Sequence, residues 1–177
     1  MTNQSSQLSK TCFYSIGYGN RSVVQLFDLI KSFGCSYLVD VRSVPYTKYH
    51  TQYNRENLEK SCNDFGLHYL YLGDQVGGKP PSDEFRNALG LADYELMAQT
   101  PNFVAGLTRL QNAYNKGIAV ALMCAELKPE VCHRTNLIGN SLAKLGIDLV
   151  HIDESAQPIS HSEALHRASG GQGDMFA

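Results

Sequence analysis

Four times along the chain an amphipathic stretch ends in a glycine and is followed by a short apolar run. Phe33-Gly34 leads into Ser36-Tyr-Leu-Val-Asp-Val-Arg42, and Phe65-Gly66 into Leu67-His-Tyr-Leu-Tyr-Leu72. Lys116-Gly117 leads into Ile118-Ala-Val-Ala-Leu-Met123, and Leu145-Gly146 into Ile147-Asp-Leu-Val-His-Ile152. A glycine just past a helix end takes the left-handed conformation without a Cβ clash. The unbroken apolar runs after it are the pattern of strands covered on both faces. With Cys12-Phe-Tyr-Ser-Ile-Gly17 this makes about five strands alternating with helices, which predicts a single α/β domain, a mainly parallel sheet with helices on both faces.

The helices read the same way. Ser22 and Gln25 form a capping box before the stripe Val23, Leu26, Phe27, Ile30, Phe33. Thr100-Pro101 opens a second helix with Phe103, Leu107, Leu110 and Tyr114 on one face. Pro129 is expected to open a third, with the stripe Val131, Ile138, Leu142, Leu145. Residues 73–99 break the rhythm around Gly77-Gly-Lys-Pro-Pro81 and predict an excursion over the edge or the site of the sheet. Residues 1–11 are expected to be a disordered N-terminal tail, 12–153 the domain, and the polar, Gly/Ser-rich 154–177 a flexible C-terminal tail.

Composition narrows the classes. The chain has 177 residues, 43% hydrophobic and 18% charged, which is globular. No apolar run is long enough for a membrane span, and no secretory pattern opens the sequence, so a cytoplasmic protein without membrane partners is expected. A net charge of −2 argues against a general coat on polyanions but leaves room for a local basic patch. Five cysteines, an odd number, are expected to be reduced; Cys12, Cys35 and Cys62 read as small buried hydrophobes.

In an open parallel sheet, ligands bind beyond the carboxyl ends of the strands. Those ends here carry Gly17-Tyr-Gly-Asn20-Arg21, Asp40-Val-Arg42, Gly73-Asp-Gln75, Cys124-Ala-Glu126 with Cys132-His-Arg134, and His151-Ile-Asp153, all expected on one rim. Asp40 can tie down a neighbouring loop or act as a catalytic acid, and the loop tie is the preferred expectation. Arg42, leaving a buried strand, needs a carboxylate or anion, from Glu126 or from a ligand. The loop from Tyr46 to Arg55 mixes Tyr46, Tyr49 and Tyr53 with Lys48, His50 and Arg55, a mixture suited to stacking on bases and pairing with phosphates. Cys132, in the first turn after Pro129 and beside His133 and Arg134, has the surroundings that favour a thiolate nucleophile. The same helix start with Arg134 would hold an anion without cysteine chemistry, and anion binding is the preferred expectation. Zinc on Cys124, Cys132 and His133, completed by Glu126 or His151, is the remaining option. The spacing Cys-x₇-Cys-His departs from that of structural zinc sites, so no metal and no other cofactor is expected.

Ser15-Ile-Gly-Tyr-Gly-Asn20, Val39-Asp-Val-Arg-Ser-Val-Pro45, Gln52-Tyr-Asn-Arg55, Gly77-Gly78, Ala121-Leu-Met-Cys-Ala-Glu126 and Cys132-His-Arg134 together resemble the bacterial and archaeal domain of unknown function 488 family. The resemblance spans the whole expected core and implies a fold and a site without naming a reaction. Tyr18 stands where that family often carries histidine. A fainter similarity to rhodanese-like domains would make Cys124 a sulfur carrier. The expected site is therefore Cys124, Glu126, Cys132 and His133 as reacting groups, with Arg42, Arg134, Arg55, Lys48 and Asn20 as anion binders.

Three function classes follow. The first is a processing protein directed at a nucleotide or nucleic acid. The second is a cysteine-dependent sulfur or thiol transferase, and the third a non-catalytic nucleic-acid adaptor. At the C-terminus, Gln172-Gly-Asp-Met175-Phe176 resembles the short peptide by which bacterial polymerases and repair proteins dock on the replication sliding clamp. It combines a polar anchor with two adjacent large apolar side chains, and it points towards DNA replication or repair.

Overall fold

A computed structural model of the protein describes residues 13–170. Among these, one six-stranded sheet is built from β1 (Phe13–Gly17), β2 (Tyr37–Asp40), β3 (His68–Tyr71), β4 (Val120–Cys124), β5 (Leu149–Ile152) and β6 (Pro158–Ser160). The strand order is β3-β2-β4-β1-β5-β6. The first five strands are mutually parallel, and β6 runs antiparallel on the outer side of β5.

Side chains alternate across the sheet, and helices cover both faces. On one face Val120, Leu122 and Cys124 of β4 join Phe103 and Leu110 of α5 (Pro101–Asn115) and Leu142 of α6 (Asn140–Lys144). On the other, Ala121 and Met123 join Leu26, Phe27 and Ile30 of α1 (Val23–Ser32) and Leu58 and Cys62 of α2 (Arg55–Asp64). The caps expected for α1 and α5 form: Ser22 and Gln25 close a capping box, and Thr100 accepts from the Phe103 N–H. Between β3 and α5 lie two short helices, α3 (Gly73–Val76) and α4 (Tyr94–Met97), joined by a long loop.

Two features position the site. In register, Gly17 of β1 lies opposite Cys124 of β4, and Asp40 of β2 opposite Met123. The carboxyl ends of three neighbouring strands are thus level, and the residues just beyond them converge. The loop around Gly78 then passes close over this edge. A Cβ on Gly78 would lie 2.5 Å from the His133 ring, so only glycine allows the approach.

Two expectations give way. Residues 154–170 are not a featureless tail, because they supply β6 and α7 (His161–Ala168). That segment is polar because β6 is an edge strand of three residues and α7 buries only Ala164, so little apolar pattern marks either one. The helix expected from Pro129 is broken at Cys132. Pro129–Val131 is a single 3₁₀ turn, and Cys132 is extended at φ −111°, ψ 149°. The Cys132 carbonyl then accepts from the N–H groups of Thr135 and Asn136, and a π-helical turn (Arg134–Gly139) runs into α6. Val131, placed on the apolar stripe by periodicity, is 70% exposed as a result. No helix among the described residues is long and apolar enough to cross a membrane.

Candidate functional site

Cys124 ends β4, Glu126 follows in the bend after it, and Cys132 and His133 stand where the chain re-enters helix. The level strand ends bring all four together. Cys124 Sγ lies 2.8 Å from Glu126 Oε2 and 3.7 Å from His133 Nδ1. Cys132 Sγ lies 3.3 Å from the same carboxylate oxygen and 3.6 Å from the same ring nitrogen. Cys124, Cys132 and His133 are buried, while Glu126 is exposed.

The second ring nitrogen of His133 settles which face it offers. Nε2 is 3.0 Å from the Val41 carbonyl, which can only accept. Nε2 therefore carries the hydrogen, and in the neutral ring Nδ1 presents a lone pair to the two sulfurs.

Arg134 is fully buried and holds the cluster from behind. Its backbone N–H and Nε both donate to Cys132 Sγ, at 3.5 and 3.2 Å. Nη2 donates to the Glu126 carbonyl at 2.7 Å, and Nη1 reaches Ser15 Oγ at 3.4 Å. Among the described residues no carboxylate lies within ion-pairing distance of this guanidinium. A buried cation without a counter-ion is costly, and Cys132 Sγ is the group placed to supply one. Burial pushes the Cys132 thiol up, but the Cys124 hydrogen bond and the charge of Arg134 outweigh it and hold the thiol well below its usual range. Cys124 moves the other way: its hydrogen bond with Cys132, then burial, then the charges of Cys132 and Glu126 keep it protonated.

Beyond Arg134 the hydrogen bonds continue. Ser15 Oγ is 2.6 Å from His151 Nδ1, His151 Nε2 is 3.1 Å from His161 Nδ1, and His161 Nε2 is 3.1 Å from Asn140 Oδ1. One assignment satisfies every member. Ser15 accepts from Arg134 and donates to His151, His151 donates to His161, and His161 donates to Asn140. His151, weighed from sequence as a zinc ligand, thus belongs to this network and not to the cysteines.

The cluster opens onto a cavity of about 400 Å³. Its other walls include Tyr18, Arg42, Tyr46, Lys79 and Tyr94. Arg42 does not take Glu126 as its partner. Its Nε and Nη2 grip both oxygens of Asp40 at 2.9 and 2.6 Å, and Nη2 also donates to the Tyr53 carbonyl. Asp40 accepts from the Arg42 backbone N–H and the Tyr69 hydroxyl as well, so it ties the loop to the strand.

The remaining expected anion binders lie elsewhere. Lys48 is exposed and sits over the Tyr49 ring at 5.8 Å, Arg55 over Tyr71 at 4.6 Å, and Asn20 is exposed; none of them lines this cavity. Tyr53, expected in a stacking loop, is fully buried and stacks on Tyr18 at 4.0 Å and 11°. Lys79 and Tyr94 were missed. They come from residues 73–99, whose broken periodicity marked an excursion without saying which side chains it brings back to the strand ends.

Residues 22–166 match the family described as domain of unknown function DUF488. The chain belongs to this family. No curated protein matches the sequence. The matched span of the DUF488 protein contains Cys124, Glu126, Cys132, His133 and Arg134, along with β2 and β4 but not β1. Ser15 and Tyr18 lie on the N-terminal side of that span.

Proposed function

We propose that this DUF488 protein binds a phosphate-bearing ligand of the nucleotide or nucleic-acid class in the cavity, with the Cys124–Glu126–Cys132–His133 cluster as its reacting end. The observation that carries this reading is the sharing of one cavity by that cluster, the cations Arg42 and Lys79, and the rings of Tyr18, Tyr46 and Tyr94. Aromatic faces stack on bases, and lysine or arginine pairs with phosphate. Because Asp40 already engages Arg42, Lys79 is the freer cation at the mouth.

Calorimetric titration with nucleotides and short single-stranded oligonucleotides tests the reading. Binding that weakens with added salt is expected. Lys79→Glu should lower affinity about 10-fold, the equivalent of about 1.4 kcal/mol. Absence of binding to every phosphate ligand, or a Lys79→Glu variant that binds as well as the parent, overturns it. The non-catalytic adaptor reading differs only in predicting binding without turnover of the bound ligand.

The sulfur-transfer alternative is served less well. A sulfur carrier attacks as thiolate, and Cys124 is the thiol that its surroundings keep protonated. The clamp-docking peptide Gln172-Gly-Asp-Met175-Phe176 lies outside the described residues and supports a replication or repair setting by its pattern alone. A pull-down of the sliding clamp should succeed with the full chain and fail when Met175 and Phe176 are both changed to alanine. Equal capture by both chains, or by neither, removes that link.

A further inference from the structure

We infer that Cys124, Cys132 and His133, with Glu126 as an exchangeable fourth ligand, form a binding site for a zinc-type divalent metal ion. The assignment goes beyond the ligand reading above and stands independently of what occupies the cavity.

The geometry is the first argument. The four donor atoms, two sulfurs, one imidazole nitrogen and one carboxylate oxygen, all lie within 4.8 Å of one another. Four of the six separations are 2.8, 3.3, 3.6 and 3.7 Å. Around a tetrahedral zinc with Zn–S near 2.3 Å and Zn–N near 2.0–2.1 Å, neighbouring donors are about 3.5–3.8 Å apart. Both sulfur–nitrogen separations fall at those values. The donor chemistry suits the same ion, since thiolate and imidazole together select a borderline-soft metal over magnesium or calcium.

The surroundings are the second argument, and they are independent of the first. A metal-bound histidine commonly donates its other ring N–H to a backbone carbonyl, which fixes the tautomer and aims the free lone pair at the ion. His133 does this through Val41. Two N–H donors of Arg134 meet Cys132 Sγ, and its buried guanidinium offsets the negative charge that two thiolates and a carboxylate would bring. Without an ion, the Nδ1 lone pair and the Glu126 carboxylate face only sulfur, which offers at best weak S–H donors. An ion would convert this acceptor-rich knot into a fully bonded one.

Exposure separates the roles of the ligands. Cys124, Cys132 and His133 are only 4%, 1% and 7% exposed, whereas Glu126 is exposed and lines the cavity. Three fixed ligands with the fourth position facing a cavity is the arrangement of a site that exchanges its fourth ligand. The Cys-x₇-Cys-His spacing hid this, because the two cysteines meet through the sheet edge and the helix start, not along a single turn.

The test uses the full-length protein, stripped with a chelator under reducing conditions and titrated with Co²⁺. Tetrahedral visible bands and a thiolate-to-cobalt charge-transfer band should rise together, saturate at about one ion per chain, and disappear when Zn²⁺ is added. Cys132→Ser should lose the charge-transfer intensity due to that sulfur. Glu126→Gln should still bind about one ion but with altered visible bands. Far-ultraviolet circular dichroism confirms that each variant is folded. No saturable band in the wild-type chain, or a disulfide between Cys124 and Cys132 that forms and reduces while cobalt is ignored, overturns the assignment. Loss of metal by Glu126→Gln overturns the exchangeable role of Glu126. Nucleotide titration of the stripped and loaded forms is read separately, so failure of one proposal leaves the other standing.

Discussion

Arg134 is the residue on which most of the site's order depends. It is fully buried, and it spends its donors on Cys132 Sγ, the Glu126 carbonyl and Ser15 Oγ. Lysine keeps the charge, but its donors leave from one nitrogen and cannot match acceptors spread around a planar fork. Arg134→Lys should therefore cost about 2–4 kcal/mol, the range for losing charge-assisted hydrogen bonds at a buried position. Urea unfolding measures this, and a loss below about 1 kcal/mol would show that the guanidinium is not what braces the cluster. Gly78 is the matching position on the other side. A methyl group there would lie 2.5 and 2.6 Å from His133 ring and Cβ atoms. Gly78→Ala should displace that ring from the Val41 carbonyl and cost about 1–3 kcal/mol of overpacking. An unchanged unfolding midpoint for Gly78→Ala would mean that the 77–81 loop yields easily.

At the level of elements, signals that stay local were legible and signals that need a partner were not. Ser22 accepts from the Gln25 N–H and Gln25 answers to the Ser22 N–H, entirely within one turn. Ser22→Ala should accordingly cost about 1 kcal/mol by urea unfolding. The stretch after Pro129 shows the opposite case. Its apolar spacing continues through Cys132, yet the helix starts afresh there: Cys132 is extended, and its Sγ meets His133 and Arg134. The π-helical turn that follows is the register adjustment such an interruption leaves, and π turns recur at functional sites. The α7 helix has little apolar pattern but firm attachments: Ala164 is fully buried, His161 bonds His151 and Asn140, and Arg167 pairs with Asp153 at 3.3 Å. Ending the chain after Gln157 should remove about 3 kcal/mol or more, lowering Tm by about 6–12 °C in a chain of this size. Unchanged melting would show that β6 and α7 are dispensable.

Across the whole molecule the buried histidine network makes stability depend on pH. Burial first, then the charge of Arg134 and the neighbouring His161, lower the His151 pKa from 6.5 to about 3, with the charge of Cys132 opposing them. Between those values the unfolded chain holds a proton that the folded chain refuses, so stability falls as pH drops below 6.5. At pH 5 the loss is about 2 kcal/mol. His161, also lowered by burial, acts in the same direction. Urea unfolding at pH 7 and pH 5 measures the difference, and His151→Gln, which can still accept from Ser15 and donate to His161, should reduce it. An equal pH dependence in parent and variant would assign the effect to other groups. From sequence alone, glycine-terminated helices and apolar runs determined the α/β class and five of the six strands, because caps and strand burial act within a few residues. The same reading brought Cys124, Glu126, Cys132 and His133 to one rim, since the ends of parallel strands share an edge. Only the tertiary structure decided that Arg42 pairs with Asp40, that Tyr53 is buried against Tyr18, that His151 joins Ser15, and that two sulfurs, a nitrogen and an oxygen converge within 4.8 Å. Those contacts join residues from different strands and helices, and sequence spacing carries no information about the angle at which such side chains meet.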